Sequence, residues 1–232
     1  MKDSKNKNYS ISTASMVAGV GLLLMAILAA YANFGVLKHL ESGSDTPYNF
    51  SNSIGSVRIA IVCFLLVAVL DIIVALALYR VLTPVHKSLS RLAALSRLLY
   101  AGVFIVAVTQ LIRVSMARGG DAYATYFRSD FAGNYITNIE NNINAFHMIW
   151  SAGLILLGVH LLLIGYLAYK ASYMPKFLGI LLAFAGLSYL VDGLGALYIM
   201  DYSTNLARVA FIGEVTLIFW LLVKGRNLKV SG

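Results

Sequence analysis

The sequence predicts an all-α polytopic membrane protein, a bundle of six transmembrane helices with both termini in the cytoplasm. Of its 232 residues, 59% are hydrophobic and only 12% are charged, against about a quarter charged in a soluble domain. The apolar residues form blocks of about 20, the helix length that crosses a hydrocarbon core of about 30 Å. Lysine and arginine gather at the ends of these blocks, as topology signals do.

The first block follows a polar, basic segment, which is predicted to be a cytoplasmic N-terminal tail over residues 1–13. The first transmembrane helix is predicted at 14–36. A cleaved signal peptide over residues 1–32 is the alternative, because Ala30-Tyr31-Ala32 has the small-residue pattern of a cleavage site. The apolar block is longer than the about 7–15 residues of a signal-peptide core, so an uncleaved helix is preferred.

The other helices are bounded by prolines and polar connections. Thr83-Pro84 ends the second helix, because the residue before a proline is pushed out of helical conformation. A short connection at Met174-Pro175 makes the fourth and fifth helices antiparallel neighbours. The six-helix membrane domain is predicted at 14–226, with a cytoplasmic tail at 227–232 and helices at 14–36, 57–82, 88–115, 143–169, 176–199 and 205–223.

The connection at 116–142 is the longest, and it is rich in tyrosine and phenylalanine. Such a content of aromatic residues argues against a disordered linker. One interpretation is a helix that lies along the lipid headgroups. The sequence alone does not determine the structure of this loop.

The basic residues set the orientation of the bundle. The six predicted helices put both termini on one side, which carries eleven lysines and arginines against five on the other. An excess of these residues marks cytoplasmic loops. The sequence therefore predicts a multi-pass membrane protein with both termini in the cytoplasm. The eleven are Lys2, Lys5, Lys7, Arg80, Lys87, Arg91, Lys170, Lys176, Lys224, Arg226 and Lys229, and the five are Lys38, Arg58, Arg118, Arg128 and Arg208.

Four ionisable residues lie well inside predicted helices: Asp71, Arg97, His160 and Glu214. A rise of 1.5 Å per residue puts them about 10–14 Å from the cytoplasmic helix ends. A charge at mid-bilayer costs about 2.5–3.5 kcal/mol, a cost that opposite charges at one level offset by pairing. Small residues share most of their helix faces, which favours contact with neighbouring helices. The four residues are therefore predicted to form an intramembrane polar or ligand site.

This layer has two competing interpretations. It binds a ligand, ion or proton in a small transporter, or it holds helices together in a structural or sensory partner subunit. An intramembrane enzyme is less favoured, because the four histidines lie in loops or at different depths and cannot converge on zinc. No metal and no cofactor is predicted. The predicted partners are the lipid bilayer and an unidentified small molecule or ion, without nucleic acid, since the basic residues form no stripe.

Two further features belong to the fifth helix. Asp192 lies near its outer end, where Arg113 and His147 are predicted to join it in a secondary polar site. Gly179, Gly186 and Gly193 recur every seven residues and predict a face on which another helix packs closely.

Several stretches resemble one known family. The segments GVHLLLIGYL at 158–167, YMPKFLGILL at 173–182 and AGLSYLVD at 185–192, with 71–84 and 213–225, are similar to a bacterial multi-pass membrane family called domain of unknown function 4386. The resemblance implies a six-helix inner-membrane protein and places His160, Asp192 and Glu214 within recognisable motifs. It implies no activity.

Overall fold

A computed structural model describes residues 2–38, 47–116, 130–199, 202 and 206–227, and within these ranges the chain is helical without strands. The predicted all-α class is confirmed. A π-helical turn at Tyr31–Leu37 continues the first helix, and a short 3-10 helix at Gly225–Asn227 follows the last. The helices are α1 (Lys2–Ala30), α2 (Pro47–Leu82), α3 (Lys87–Met116), α4 (Asp130–Lys170), α5 (Lys176–Tyr198) and α6 (Ala207–Val223).

Five of the described helices are long and apolar enough to cross a membrane. The sixth, α6, has 17 residues, and its apolar part at Phe211–Val223 is shorter than the others. The predicted six spans thus correspond to five full-length helices and one shorter helix. The five apolar stretches are Ile11–Leu37, Ile54–Leu82, Lys87–Met116, Thr137–Lys170 and Lys176–Tyr198.

The helices extend beyond the apolar blocks that marked them in the sequence. The stretch predicted as an N-terminal tail belongs to α1, and α2 begins ten residues before the predicted 57, at Pro47. In the loop predicted at 116–142, residues 130–142 form the start of α4, whereas 117–129 lie outside the described residues. Hydropathy marks only the apolar part of a helix, because polar flanks can keep helical backbone hydrogen bonds outside the membrane.

The six helices form a closed ring. Each packs against the next helix in sequence, and α6 packs against α1. The Ser15 hydroxyl donates a hydrogen bond to the Leu221 carbonyl at 3.4 Å, and the Ser12 hydroxyl donates to the Arg226 carbonyl. The start of α1 and the end of α6 therefore lie at the same end of the bundle.

The glycines of α5 pack directly on the backbone of α4. A Cβ atom added at Gly186 would lie 2.8 Å from the Gly158 carbonyl oxygen, and one at Gly179 would lie 2.7 Å from the Gly165 carbonyl oxygen. At Gly193 it would lie 2.8 Å from the carbonyl oxygen of Ser151. These contacts are seven residues apart on each helix and run in opposite directions. The structure confirms the predicted close-packing face, and we call it the glycine seam.

Aromatic side chains fill the space between α2, α3 and α4. The ring centroids of Phe64 and Phe104 are 5.5 Å apart in an edge-to-face arrangement, and those of Phe64 and Phe146 are 5.6 Å apart. Trp150 lies 5.9 Å from Phe104, and its indole N–H donates to the Tyr100 hydroxyl at 3.2 Å. Such ring pairs stabilise a core beyond the area they bury, and they fix the mutual position of the three helices that carry the buried charges.

Tyr173, in the connection between α4 and α5, caps the end of α2. Its hydroxyl donates to the Val81 carbonyl at 2.6 Å, one of the last four carbonyls of the helix, which have no partner within it. Tyr173→Phe is expected to lower the free energy of unfolding by about 1 kcal/mol, measured by denaturation in detergent. The exposed Tyr198 provides the control Tyr198→Phe, and equal losses from the two variants would contradict the cap.

The Tyr173 cap also predicts a dependence on pH. Burial raises the pKa of Tyr173 to about 12, above the ordinary value of about 10 for tyrosine. A group whose pKa is raised by folding contributes stability that is complete below its unfolded pKa and is lost as the pH rises through its folded pKa. The stability difference between the wild type and Tyr173→Phe should therefore shrink between about pH 10 and pH 12.

Candidate functional site

The buried charges are organised around Arg97 on α3. Its Nε and Nη2 atoms donate to the same oxygen, Oδ1 of Asp71 on α2, at 2.9 and 2.8 Å. Both side chains are almost completely excluded from the surface, with 4% and 0% exposed. Breaking a buried ion pair by removing one partner is costly, because the other charge is left without compensation. This contact therefore links α2 to α3, and loss of either partner would destabilise the bundle.

His160 on α4 completes this arrangement. Its Nε2 lies 3.2 Å from Nη1 of Arg97, and its Nδ1 lies 2.8 Å from the Ala93 carbonyl oxygen. A carbonyl only accepts and a guanidinium only donates, so the network assigns the hydrogen to Nδ1 and a lone pair to Nε2. The imidazole is therefore neutral, and it accepts from Nη1 of Arg97 while Asp71 accepts from Nε and Nη2.

The local sequence of α3 explains why three helices can meet here. Ala93, Ala94 and Ala101 share the face of Arg97 and are buried, and such small side chains let neighbouring helices approach closely. Met25 of α1 adds its sulfur atom 3.8 Å from Nη2 of Arg97. We call the set of Asp71, Arg97 and His160 the ionic triad, which joins α2, α3 and α4.

Glu214 on α6 lies beside the triad but is not ion-paired with it. Its Oε1 atom accepts a hydrogen bond of 2.6 Å from the Tyr189 hydroxyl of α5. The charges of Arg97 and Asp71 lie within electrostatic range of the Glu214 carboxyl group. The four predicted residues thus form one electrostatic layer, in which three are in contact and Glu214 has a separate partner.

The two parts of the layer differ in exposure. Asp71, Arg97 and His160 are all buried, whereas Glu214 and Tyr189 are only half-buried. The charges of Asp71 and Arg97 balance and the imidazole is neutral, so the formal charge of the layer is that of Glu214. Within the described ranges Asp71 and Arg97 form the ion pair of this layer, and a carboxylate without a cation at this depth is costly.

One oxygen of Asp71 has no hydrogen-bond partner. Its Oδ2 atom is buried and unpaired within the described part of the chain, while Oδ1 accepts both bonds from Arg97. An unsatisfied buried acceptor costs about 1–3 kcal/mol. Of the two carboxylate oxygens of Asp71, Arg97 therefore donates only to Oδ1, and Oδ2 accepts no hydrogen bond from the described residues.

The residues predicted for the secondary outer site have other partners. Asp192 accepts hydrogen bonds from the Tyr202 hydroxyl at 2.8 Å and from the backbone N–H of Leu206, just before α6, at 3.2 Å. Arg113 donates to Gln110 on its own helix, and no ion pair joins it to Asp192 in the described structure. The His147 ring packs against that of Phe146 at 5.2 Å. Asp192 thus fixes the connection between α5 and α6.

Several partners of the charged residues were not anticipated from the sequence. Tyr189 carries a sequence signal, because it is a tyrosine in the middle of an apolar helix, where its hydroxyl needs an acceptor. The Ala93 carbonyl, the Met25 sulfur atom and Tyr202 carry no such signal. Among the residues that the structure describes, no three His, Cys, Asp or Glu side chains are grouped so as to hold a metal ion.

These features define an all-helical bundle with apolar helices compatible with a membrane protein and a buried charged layer. The chain belongs to the family described as domain of unknown function (DUF4386), whose model matches residues 17–225, and the resemblance found in the sequence is confirmed. A relative from Archaeoglobus fulgidus, described as an uncharacterized protein, is 35% identical over 170 residues, which cover 73% of this chain and 86% of the relative. No solved structure matches the chain.

Proposed function

We propose that the chain is an integral membrane protein in which Glu214 and Tyr189 bind a proton or a small cation, as in a small ion-coupled carrier. The ionic triad stabilises the bundle around this site. The observation that carries the proposal is that Glu214 is half-buried and has no ion-pair partner among the described residues, whereas Asp71 is sealed against Arg97. A carboxylate in this position is neutralised by a proton or by a bound cation.

The orientation proposed for this protein has both termini in the cytoplasm of a bacterial cell. Two observations support it. The beginning of α1 and the end of α6 lie at the same end of the bundle, and the helix ends there carry most of the lysine and arginine, including Arg80, Lys170 and Lys224. Such an excess marks the cytoplasmic side of a membrane protein.

The chemistry proposed at Glu214 uses both carboxylate oxygens. Tyr189 donates to Oε1, which holds the side chain in one orientation. The Oε2 atom is then the acceptor for a proton or the ligand for a cation. Release of the proton or cation leaves a carboxylate that keeps the hydrogen bond from Tyr189 and lies within electrostatic range of Arg97. Each step changes the charge at the packing contact between α5 and α6.

The proposal predicts that the thermal stability of the detergent-purified protein depends on protons or on inorganic cations. The measurement compares the unfolding temperature at several pH values, and in sodium, potassium and choline chloride of equal ionic strength. A cation present at 100 times its Kd stabilises the folded state by about 2.7 kcal/mol. Glu214→Gln should abolish the dependence on cations and remove the part of the pH dependence that comes from this carboxyl group, because the amide neither takes up a proton nor binds a cation as a carboxylate does.

Glu140→Gln is the matched control, since Glu140 on α4 is exposed and should leave the dependence unchanged. A pH dependence that is lost in Glu214→Gln, without a response to cations, would identify a proton site, and a preference for sodium or potassium over choline that is lost in the same variant would identify a cation site. A wild type that responds to neither, or a Glu214→Gln variant that responds as the wild type does, would contradict the proposal.

A structural or sensory subunit is the second candidate function, and the closed geometry of the triad favours it. Both donor groups of Arg97 that face Asp71 are used, and His160 is fixed by hydrogen bonds on both ring nitrogens. In such a subunit the charged layer would serve only to hold the helices in register. The absence of any response at Glu214 in the experiment above would favour this candidate over the carrier.

A further inference from the structure

A cleft of about 430 Å³ opens between α1 and α2, away from the charged layer. Its lining is apolar except at Thr13 and at a single guanidinium group, that of Arg80. The apolar residues are Ala14 and Val17 from α1 and Ile73, Leu76 and Ala77 from α2.

The cleft lies where the apolar parts of the two helices end. Arg80 is two residues before the end of the apolar stretch Ile54–Leu82, and Ala14 is three residues after the start of Ile11–Leu37. A Cβ atom added at Gly21 would lie 2.6 Å from Cγ2 of Val74, so the helices are antiparallel and in close contact on the deeper side of the cleft. The lining of the cleft on α2 runs from Ile73 to Arg80, about 10 Å along the helix axis.

Arg80 brings a positive charge to this cleft. Its side chain is exposed and forms no ion pair with an acid in the described ranges. A guanidinium group matches the oxygens of a phosphate with two parallel hydrogen bonds. The exposed apolar side chains of Leu76 and Ile73, which are 54% and 41% exposed, continue from this group toward the middle of the helix.

We propose that this cleft binds an anionic phospholipid, with the phosphate on Arg80 and one acyl chain along the apolar lining. The combination of one basic group at the end of the apolar span with an apolar channel below it matches the two ends of a lipid molecule. A soluble anion would use Arg80 but gain nothing from Leu76 and Ile73. This site is separate from Glu214, and it stands whether or not Glu214 binds a proton or cation.

The test measures lipid binding to purified, delipidated full-length protein by native mass spectrometry, with phosphatidylglycerol and phosphatidylcholine of the same acyl chains. The wild type should retain phosphatidylglycerol in preference. Arg80→Gln should weaken that binding about fivefold to tenfold, because a basic residue near the membrane surface contributes about 1 kcal/mol to binding of anionic lipid and a phosphate hydrogen bond adds to it. Leu76→Ser should weaken the binding of both lipids.

Arg91→Gln is the matched control, since Arg91 is also exposed and lies near the same end of the bundle, on α3. An equal loss in Arg91→Gln and Arg80→Gln would show general attraction to basic surface and overturn the proposal, as would unchanged binding in Arg80→Gln. Inorganic phosphate that displaces phosphatidylglycerol completely, with no effect of Leu76→Ser, would indicate a simple anion site and overturn the lipid site as well.

Discussion

Arg97→Ala is expected to destabilise the bundle by about 3–5 kcal/mol, the loss that follows when one partner of a buried ion pair is removed. The substitution leaves the Asp71 carboxylate buried without the donors it has among the described residues and removes the hydrogen bond to Nε2 of His160. The measurement is denaturation of the purified protein in detergent. Arg113→Ala on the same helix is the control, because Arg113 is exposed and bonds only to Gln110 among the described residues.

A double substitution distinguishes the effect of leaving a charge unpaired from the effect of losing side-chain packing. Asp71→Leu together with Arg97→Met should recover most of the loss, because apolar residues of similar volume can replace a buried ion pair at little cost. If Arg97→Ala costs no more than Arg113→Ala, the triad does not stabilise the bundle. If the double variant is as unstable as Arg97→Ala, the loss comes from packing and not from the unpaired charge.

Gly186→Val is expected to lower the free energy of unfolding by about 3 kcal/mol, the upper end of the usual cost of overpacking. A Cβ atom at Gly186 would lie 2.8 Å from the Gly158 carbonyl oxygen and 2.8 Å from the backbone nitrogen of Leu162. Both are backbone atoms, so no side chain can turn away and α4 must separate from α5. Unfolding in detergent and protease sensitivity would measure the effect.

Gly102→Ala is the control for the glycine seam, because nothing lies within 4 Å of a Cβ atom at this position in α3. It should be neutral or slightly stabilising, since alanine favours a helix over glycine by up to about 1 kcal/mol. A Gly186→Val variant as stable as Gly102→Ala would mean that the seam tolerates side chains and that α4 and α5 are not in backbone contact.

Much of the fold follows from the hydropathy pattern and from the positions of proline and glycine in the sequence. The second helix ends at Leu82 as predicted, because Pro84 constrains the residue before it. The heptad spacing of Gly179, Gly186 and Gly193 located the close backbone contact between α4 and α5, since glycine lets two helix backbones approach each other. The polar starts of α1, α2 and α4 could not be predicted, because a solvated helix carries no apolar signal.

The sequence predicted how deep each residue of the candidate site lies along its helix. It did not predict which of these residues contact each other. A rise of 1.5 Å per residue places a side chain along the bundle within a turn or so, which brought Asp71, Arg97 and His160 to one level. Contact also depends on the rotation of each helix, where one residue changes direction by about 100°. This is why the pairing of Glu214 with Tyr189, and of Asp192 with Tyr202 in the following connection, appeared only in the structure.

We propose that the charged layer is sealed at Asp71 and open at Glu214. Labelling with a hydrophobic carbodiimide, which enters membranes and reacts with protonated carboxyl groups, tests this most directly. Mass spectrometry of the labelled peptides should find the adduct on Glu214, with labelling reduced at high pH or by a bound cation, and none on Asp71. Labelling of Asp71, or a Glu214 that stays unlabelled at every pH, would contradict the division of the layer into a structural triad and an exchangeable carboxylate.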